Sequence, residues 1–408
     1  MSSPLIDRAP PQKIPLIATD WSYTNEGNEN IVFTYTGNDT SLCGWLLRLT
    51  KTTVGKHTSV PEPQQITQKQ DSLMYTSQVI GDLVGSEYIL PQRLVSVTEE
   101  FVGELNKQTG GQRPDQRMHK QIDLGQRVAM LTCNMLSSGM VTVEVKPKWG
   151  YLPGALAEIS GQTQVKLTTC RYCMHQRLKH SECISGFCPL DLYSNDKHRV
   201  VYAIECLVKS PQNNLRVFLD GQPVEISSGG GAKQGIANWD EIGETVAEIL
   251  VQEKLLARLK KLQRNLDRFD IEGLVPRYER ALAEGKISGR QPEIGDWLGA
   301  ERRFTARSNA DADTESDKQA VLEFLLATTL KDISVLIQLP SSGMAAEDAN
   351  GSDLPWKTVA VAGRRTQFRM AIIDADPKKL SKIPDYLAKD QEIVLNYLQV
   401  PDGKRCVE

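Results

Sequence analysis

Two lysines stand two residues apart at the end of an alternating run, Val141-Thr-Val-Glu-Val-Lys-Pro-Lys148. A strand has a period of two, so Val141, Val143 and Val145 share one face and Glu144, Lys146 and Lys148 the other. Ammonium groups that close repel unless an anion lies between them, and Glu144 can answer only one of them. The chemistry they suit is the holding of an anionic ligand. Farther on, Cys170-Arg-Tyr-Cys-Met-His-Gln-Arg-Leu-Lys179 sets Arg171, His175 and Lys179 on one face at helical spacing. Alone, such a face is ordinarily a solvated basic surface; beside the paired lysines it points to an anion site. Asn213, Asn214 and Arg216, in Pro211-Gln-Asn-Asn-Leu-Arg-Val-Phe218, make a donor-rich turn. All three can bond phosphate, although asparagine pairs commonly just close a turn.

Carboxylates occur at two informative places. Asp332 falls at a corner between an expected helix, Val321–Leu330, and an expected strand, Ile333–Leu339, where an acid is often only a solvated cap. Phe368 to Ile373 reads as a buried strand that runs into Asp374-Ala375-Asp376. Paired acids at a strand end suit magnesium, which takes a few carboxylates together with substrate phosphates; a plain polar turn is an equal alternative. Cys170, Cys173, Cys183 and Cys188, with His175 and His180 among them, admit a zinc reading. The spacing disfavours it: four residues lie between the cysteines of the second pair, and arginines crowd the first. Buried or half-buried free thiols are the expectation, and a zinc-binding interaction module is the rival from another class.

The elements that must position these groups follow from length and pattern. At 408 residues the chain is long enough for two lobes with separate cores. A net charge of −3 with 24% charged residues excludes a general nucleic-acid binder, so any basic site is local. Eight cysteines without a regular framework, no secretory pattern in Met1–Leu16 and no run of about eighteen apolar residues predict reduced thiols in the nucleus or cytoplasm and no membrane. Trp21 to Tyr35 reads as a hairpin turning at Gly27, and Gly44–Leu49 as a strand carrying Arg48. Residues 55–72 and 103–117 read as loops, the second bearing Arg113 and Arg117, with a helix or strand–helix pair over Tyr88–Val102 between them. A buried strand, Val128–Asn134, marks a lobe boundary, giving 1–134 and 135–408. Beyond it come an apolar helix over Val200–Val208, one long helix over Trp239–Phe269, and polar loops at 226–236, 304–320 and 341–353.

Eight motifs in order carry a resemblance: Glu-Gly-Asn-Glu-Asn from Glu26, Leu-Arg-Leu from Leu47, Glu-Val-Lys-Pro-Lys-Trp-Gly from Glu144, Arg-Tyr-Cys-Met-His-Gln-Arg-Leu-Lys from Arg171, Pro-Leu-Asp-Leu-Tyr-Ser from Pro189, Pro-Gln-Asn-Asn-Leu-Arg-Val-Phe from Pro211, Lys-Asp-Ile-Ser from Lys331 and Ile-Asp-Ala-Asp from Ile373. Together they resemble the inositol-pentakisphosphate 2-kinase family. The resemblance implies an α+β, two-lobed, protein-kinase-like fold: a mostly β N-lobe, a larger mixed α/β C-lobe with an inositide-binding insertion, and the nucleotide between them. It implies transfer of the ATP γ-phosphate to the 2-hydroxyl of inositol 1,3,4,5,6-pentakisphosphate, with Mg2+, by a monomer acting on a small molecule.

By that pattern Gly27, Asn28 and Asn30 lie in the phosphate-covering loop, Arg48 takes the place of the protein-kinase lysine, and Glu144 goes with the nucleotide. Asp332 matches the catalytic acid, aided by Lys146. Asp374 matches the metal ligand, with Asp376 as a second. Arg113, Lys146, Lys148, Arg171, His175, Lys179, Asn213, Asn214, Arg216, Lys378, Lys382 and Tyr386 match positions that line the inositol phosphate. Each phosphate carries about −1.5 to −2 charges near neutral pH, so five on one ring demand many local cations and donors. Three departures stand out. No Cys or His occurs from Leu207 to Arg405, where plant members carry a zinc site; Ala375 replaces a larger apolar residue; and Glu29 sets a carboxylate in the phosphate loop. A non-catalytic inositide sensor is the further alternative, against which the presence of both Asp332 and Asp374 speaks.

Overall fold

Ile31, Phe33 and Tyr35 are buried while the residues between them are half-buried, the alternation that lays a strand over a core. In the computed structural model this strand belongs to the smaller of two compact units. One takes the described residues of Met1–Met74, Leu90–Ser137 and Ala345–Pro355, the other those of Tyr75–Ile89, Ser138–Met344 and Trp356–Glu408. The structure describes residues 8–179, 183–226, 239–307, 316–341, 354–400 and 403–408. His180, nearly all of 226–236 and large parts of 304–320 and 341–353 lie outside the described residues.

The first unit holds β1 (Trp21–Glu26), β2 (Asn30–Tyr35), β3 (Trp45–Thr53), β4 (Gln92–Ser96), β5 (Lys120–Ile122) and β6 (Val128–Cys133). They form an antiparallel sheet in the order β1-β2-β3-β6-β4, with β5 paired to β3. The helix Glu99–Gln108, capped by the Thr98 side chain, sends Phe101, Val102 and Leu105 into the core formed with Ile31, Phe33, Leu47 and Leu131.

Two expected loops are corrected here. Residues Glu62–Met74 are a helix, and the second loop begins only after Gln108. In the first case the apolar anchors are only Ile66 and Leu73, two turns apart, packed on Leu94, Val128 and Met130. Buried Gln65 does the remaining tethering, donating to the carbonyls of Val60 at 2.8 Å and Gly125 at 3.0 Å and accepting from the Arg127 N–H at 2.9 Å. Such polar anchoring leaves no periodic apolar signal.

The second unit holds β7 (Met140–Val145), β8 (Leu215–Leu219), β9 (Gln222–Val224), β10 (Ser334–Pro340), β11 (Lys357–Val361) and β12 (Arg364–Ile373), antiparallel in the order β11-β12-β10-β7-β8-β9. Its register gathers the chemistry. Val335 pairs with Val145 and Ser334 with Ile373, so the end of β7, the start of β10 and the end of β12 meet at one sheet edge, with the start of β8 beside them. The helix Asp317–Leu330 underlies this edge, buried from Gln319 through Leu330; it starts inside the expected 304–320 loop, where Ser316 caps it.

The long helix expected over 239–269 is two, Trp239–Gln252 and Leu255–Leu266. The apolar stripe slips phase there: the step from buried Leu250 to buried Leu255 is five positions, neither a three nor a four. Glu253, at the break, instead accepts from Tyr88 and Lys357, each at 2.7 Å. The described residues thus form a mixed α+β fold of two antiparallel sheets and twelve α-helices.

Candidate active site

At the edge where β7 and β12 end and β10 begins, each strand delivers a polar or charged group. Lys146 follows β7 and its Nζ lies 2.7 Å from Asp374 Oδ2, just past β12. Ser334, opening β10, donates to Glu144 Oε1 at 2.8 Å and lies 3.4 Å from Asp374 Oδ2. Asp332, one turn before β10, is exposed and accepts from Lys378 Nζ. Arg216, across from Glu144 on β8, stands 3.9 Å from its carboxylate. Asn214 ties the two loops together: Lys146 N–H donates to its carbonyl at 2.8 Å, and its Nδ2 donates to the Lys146 carbonyl at 3.1 Å.

Beside this edge is a cavity of about 260 Å³. Its walls include Lys148, Arg171, His175 and Lys179, the amides Gln212, Asn213 and Asn214, the ring of Tyr386, and Asp332. The helix Arg171–Lys179 presents its first, fifth and ninth residues to this space, as helical spacing requires. Burial pushes the Lys148 ammonium to a lower pKa; Asp332 opposes this, and the cations Lys146, Lys179 and Lys378 push the same way as burial. His175 is pushed down to about 4 by burial and then by Arg171, Lys389, Lys179 and Lys148. Positive groups thus crowd until their own charges are disfavoured, a state that a bound polyanion relieves. Tyr386 stays protonated more firmly than a free phenol because of burial and the nearby Asp332 and Asp385, which keeps it a donor.

Backbone and floor hold this arrangement. Lys148 sits at φ 61° and Asp374 at φ 63°, left-handed conformations uncommon outside glycine. The Lys148 carbonyl accepts from Gln263 Nε2 at 3.1 Å and Tyr193 OH at 3.2 Å. Gln263 also donates to the Leu330 carbonyl at 3.0 Å and accepts from Gly150 N–H at 2.9 Å, so one buried amide joins the lysine loop to the segment before Asp332. Lys331, 1% exposed, pairs with Asp267, which Tyr151 also meets at 2.6 Å, and its Nζ stands 3.8 Å above the Trp149 ring. Arg171 covers the same ring at 5.0 Å while pairing with Asp390. Sequence reasoning missed Lys331, Gln263 and Asp267; a lysine at the end of an apolar helix was the available signal.

The remaining expected residues lie elsewhere. Lys382 pairs with Asp385 at 2.7 Å, both exposed. Asp376 is exposed, and its carbonyl accepts from Thr329 at 3.3 Å. In the first unit, Gly27 N–H donates to the Asn30 carbonyl at 2.9 Å, leaving Asn28 and Glu29 at the hairpin tip, where Lys120 reaches the Asn28 carbonyl at 2.9 Å. With its amide oxygen turned toward Arg48, Asn30 accepts from that guanidinium at 2.8 Å. Arg113 is buried and engages both oxygens of Glu26, at 2.8 and 2.9 Å, beside Lys51 on the same carboxylate. The guanidinium offered to the substrate by resemblance is thus an internal ion-pair partner, in a segment expected to be loose. Cys183 is exposed and apart from Cys170, Cys173 and Cys188, whose fourth neighbour is Cys406.

Cations and amides converging on one cavity, with carboxylates at the adjoining strand ends, are chemistry suited to a compact anionic ligand. The family model for inositol-pentakisphosphate 2-kinase matches residues 23–392. The chain belongs to the inositol-pentakisphosphate 2-kinase family, and is accordingly a transferase. It is 28% identical to the inositol-pentakisphosphate 2-kinase of Oryza sativa subsp. japonica, over 93% of this chain and 94% of the relative. It is 27% identical to that of Arabidopsis thaliana, over 96% of both, and 24% identical to that of Danio rerio, over 93% of both.

Proposed function

We propose that this chain transfers the γ-phosphate of ATP to the 2-hydroxyl of inositol 1,3,4,5,6-pentakisphosphate, yielding the hexakisphosphate. The observation that carries this reading is the convergence of Lys148, Arg171, His175, Lys179, Asn213, Asn214 and Tyr386 on the cavity that Asp332 also lines. Five phosphates on one small ring match that density of donors. By the family pattern Lys378, Lys382 and Arg216 add to the inositide's cations, Lys378 through its place beside Asp332. Asp332 accepts the proton of the attacking hydroxyl, oriented by its contact with Lys378. Lys146 offsets charge that develops on the transferred group.

Exposed carboxylates at a strand end are hard oxygen donors of the kind magnesium takes, so Asp374, with Asp376 as second candidate, would hold Mg2+. Bound there, the ion neutralises phosphate charge. For the nucleotide, the family pattern assigns Gly27, Asn28, Asn30 and Arg48, and Glu144. A Cβ at Gly27 would meet nothing within 4 Å, which leaves the backbone there open to the approach of a phosphate. We read the two units as the lobes of a protein-kinase-like fold, acting as a monomer in the nucleus or cytoplasm. Incubation with magnesium-ATP and the pentakisphosphate tests the reading. Hexakisphosphate is expected, whereas tight binding of the pentakisphosphate without turnover would favour a sensor.

A further inference from the structure

Next to the helix Arg171–Lys179 lies a set of charges that the proposed reaction does not use. Lys166, Asp270 and Asp390 are buried and Glu272 is half-buried. Lys166 Nζ stands 2.8 Å from Asp390 Oδ2 and 3.0 Å from Glu272 Oε1, and pairs with Asp270 as well. The other oxygen of Asp390 accepts from Arg171 Nη1. Three carboxylates therefore face two cations, and one negative charge is left over. Burial pushes the Asp270 carboxyl up to about 6 against the pull of Lys166, and Asp267 and Asp390 add to the rise. Asp270 also sits at φ 60°, a left-handed conformation. Ion pairs this deep return little net stability against apolar residues of similar size. Of these five residues only Arg171 lines the cavity beside Asp332.

Arg171 needs such a hold. Its guanidinium shares the cavity wall with Lys148, His175 and Lys179, so like charges push it outward when no anion is bound. An unheld arginine leaves such a wall for solvent, where it regains rotamer freedom. Asp390 and the Trp149 ring, 5.0 Å from the guanidinium, keep it in place. Asp390 stands four residues after Tyr386 in the helix Ile383–Tyr397, so both side chains leave the same face: the phenol lines the cavity and the carboxylate holds the arginine. Met174 packs with Ile393, Val394 and Tyr397, which fixes this helix against the one that carries Arg171. A guanidinium has five N–H donors, so the bond to Asp390 leaves others for phosphate.

We infer that Asp390 is a positioning residue for the anionic substrate: it holds the Arg171 guanidinium at the cavity wall before any ligand arrives, with Lys166, Asp270 and Glu272 fixing it from behind. The site is then charged and oriented while empty, and the ligand does not have to order that arginine. The surplus carboxylate charge offsets part of the repulsion among the cations of the wall. The anchor itself stands on the contacts just described; its effect on the pentakisphosphate rests on the function proposed above.

Asp390→Asn in the full-length protein is the test. KM for the pentakisphosphate should rise on the order of tenfold, with kcat and KM for ATP little changed. Adding Asp390→Asn to Arg171→Gln should raise that KM no further. A second reading needs no substrate. After burial, Arg171 holds the His175 pKa down together with Lys389, Lys179 and Lys148. In Asp390→Asn the imidazole, followed by NMR, should titrate higher, toward its value in Arg171→Gln. Loss of a carboxylate by itself moves a histidine the other way, so the rise reports departure of the guanidinium. Glu272→Gln, which removes a partner of Lys166 but none of Arg171, should lower the melting temperature and leave both readings unchanged. Asp390→Glu should restore part of each. A His175 pKa that falls or stays put in Asp390→Asn, an unchanged KM for a pentakisphosphate that the unaltered protein does use, or equal changes in Glu272→Gln would each overturn the anchor. If the unaltered protein does not use the pentakisphosphate, the function fails, and the His175 titration still decides the anchor. Should Asp390→Asn not fold, the unaltered protein decides: its Arg171 guanidinium signals should show hindered rotation without ligand, and free rotation would overturn the proposal.

Discussion

Lys146 Nζ and Asp374 Oδ2, 228 residues apart in the chain, meet at 2.7 Å where β7 and β12 end side by side. Ser334 stands between them and Glu144, so a cation, two carboxylates and a hydroxyl form one chain of contacts. The proposed metal ligand is thus oriented by protein groups, and the ammonium beside it is placed to share the charge of a transferred phosphoryl group.

Asp374→Asn should lower kcat by on the order of a hundredfold or more, while Asp376→Asn should mainly raise the magnesium concentration needed for half-maximal rate. Initial rates across a magnesium series separate the two. A near-normal rate for Asp374→Asn at saturating magnesium would remove its assigned role.

Asp332→Asn should cut turnover by about 10²–10⁴ without weakening the pentakisphosphate, because Lys378 is then freed to face the ligand. Single-turnover rates alongside calorimetric binding give the comparison; equal losses in both would make Asp332 a structural residue.

Charge reversal at Lys179 should raise KM for the inositide far more than for ATP, since its side chain lines the cavity. Added salt should mimic part of the effect, because Lys179 is itself exposed and open to screening. Parallel changes in both KM values would place the lysine with the nucleotide.

Histidine 175 gives a pH dependence with a defined sign. Its pKa in the fold, about 4, lies below the ordinary 6.5 because of burial and neighbouring cations. Between those values the unfolded chain binds a proton that the folded chain refuses, so stability is present above 6.5 and is lost as pH falls toward 4. His175→Gln should therefore lose less melting temperature than the unaltered protein between about pH 7 and about pH 5. Identical losses would show that the imidazole is not the group responsible.

Lys331→Met should destabilise by about 3–5 kcal/mol, because it strands the buried Asp267 carboxylate. The double variant with Asp267→Asn should recover part of that loss. Chemical denaturation of the four proteins in the cycle measures the coupling, and strict additivity would deny the pair.

How far the chain could be read depended on which force fixed each part. Alternation at Val141–Val145 and the apolar run at Phe368–Ile373 mark strands directly, so the groups following those strands, Lys146 and Asp374, could be picked out. Helical spacing did the same for Arg171, His175 and Lys179. What stayed hidden was held by polar or long-range partners. Gln65 anchors a helix without an apolar stripe, Glu26 draws Arg113 inward, and Gln263 joins two loops through single hydrogen bonds. Cys406 is invisible to any spacing rule because chain folding, not sequence distance, brings it to Cys170.

The left-handed backbone at Lys148 and Asp374 sets stability against activity at individual positions. Each such residue costs on the order of 1 kcal/mol relative to glycine. A library of variants ranked by heat resistance alone would therefore favour glycine at 148 and 374, and its winners would be the least active members. Ranking the same library by both properties should trace a frontier on which these two positions move in opposite directions.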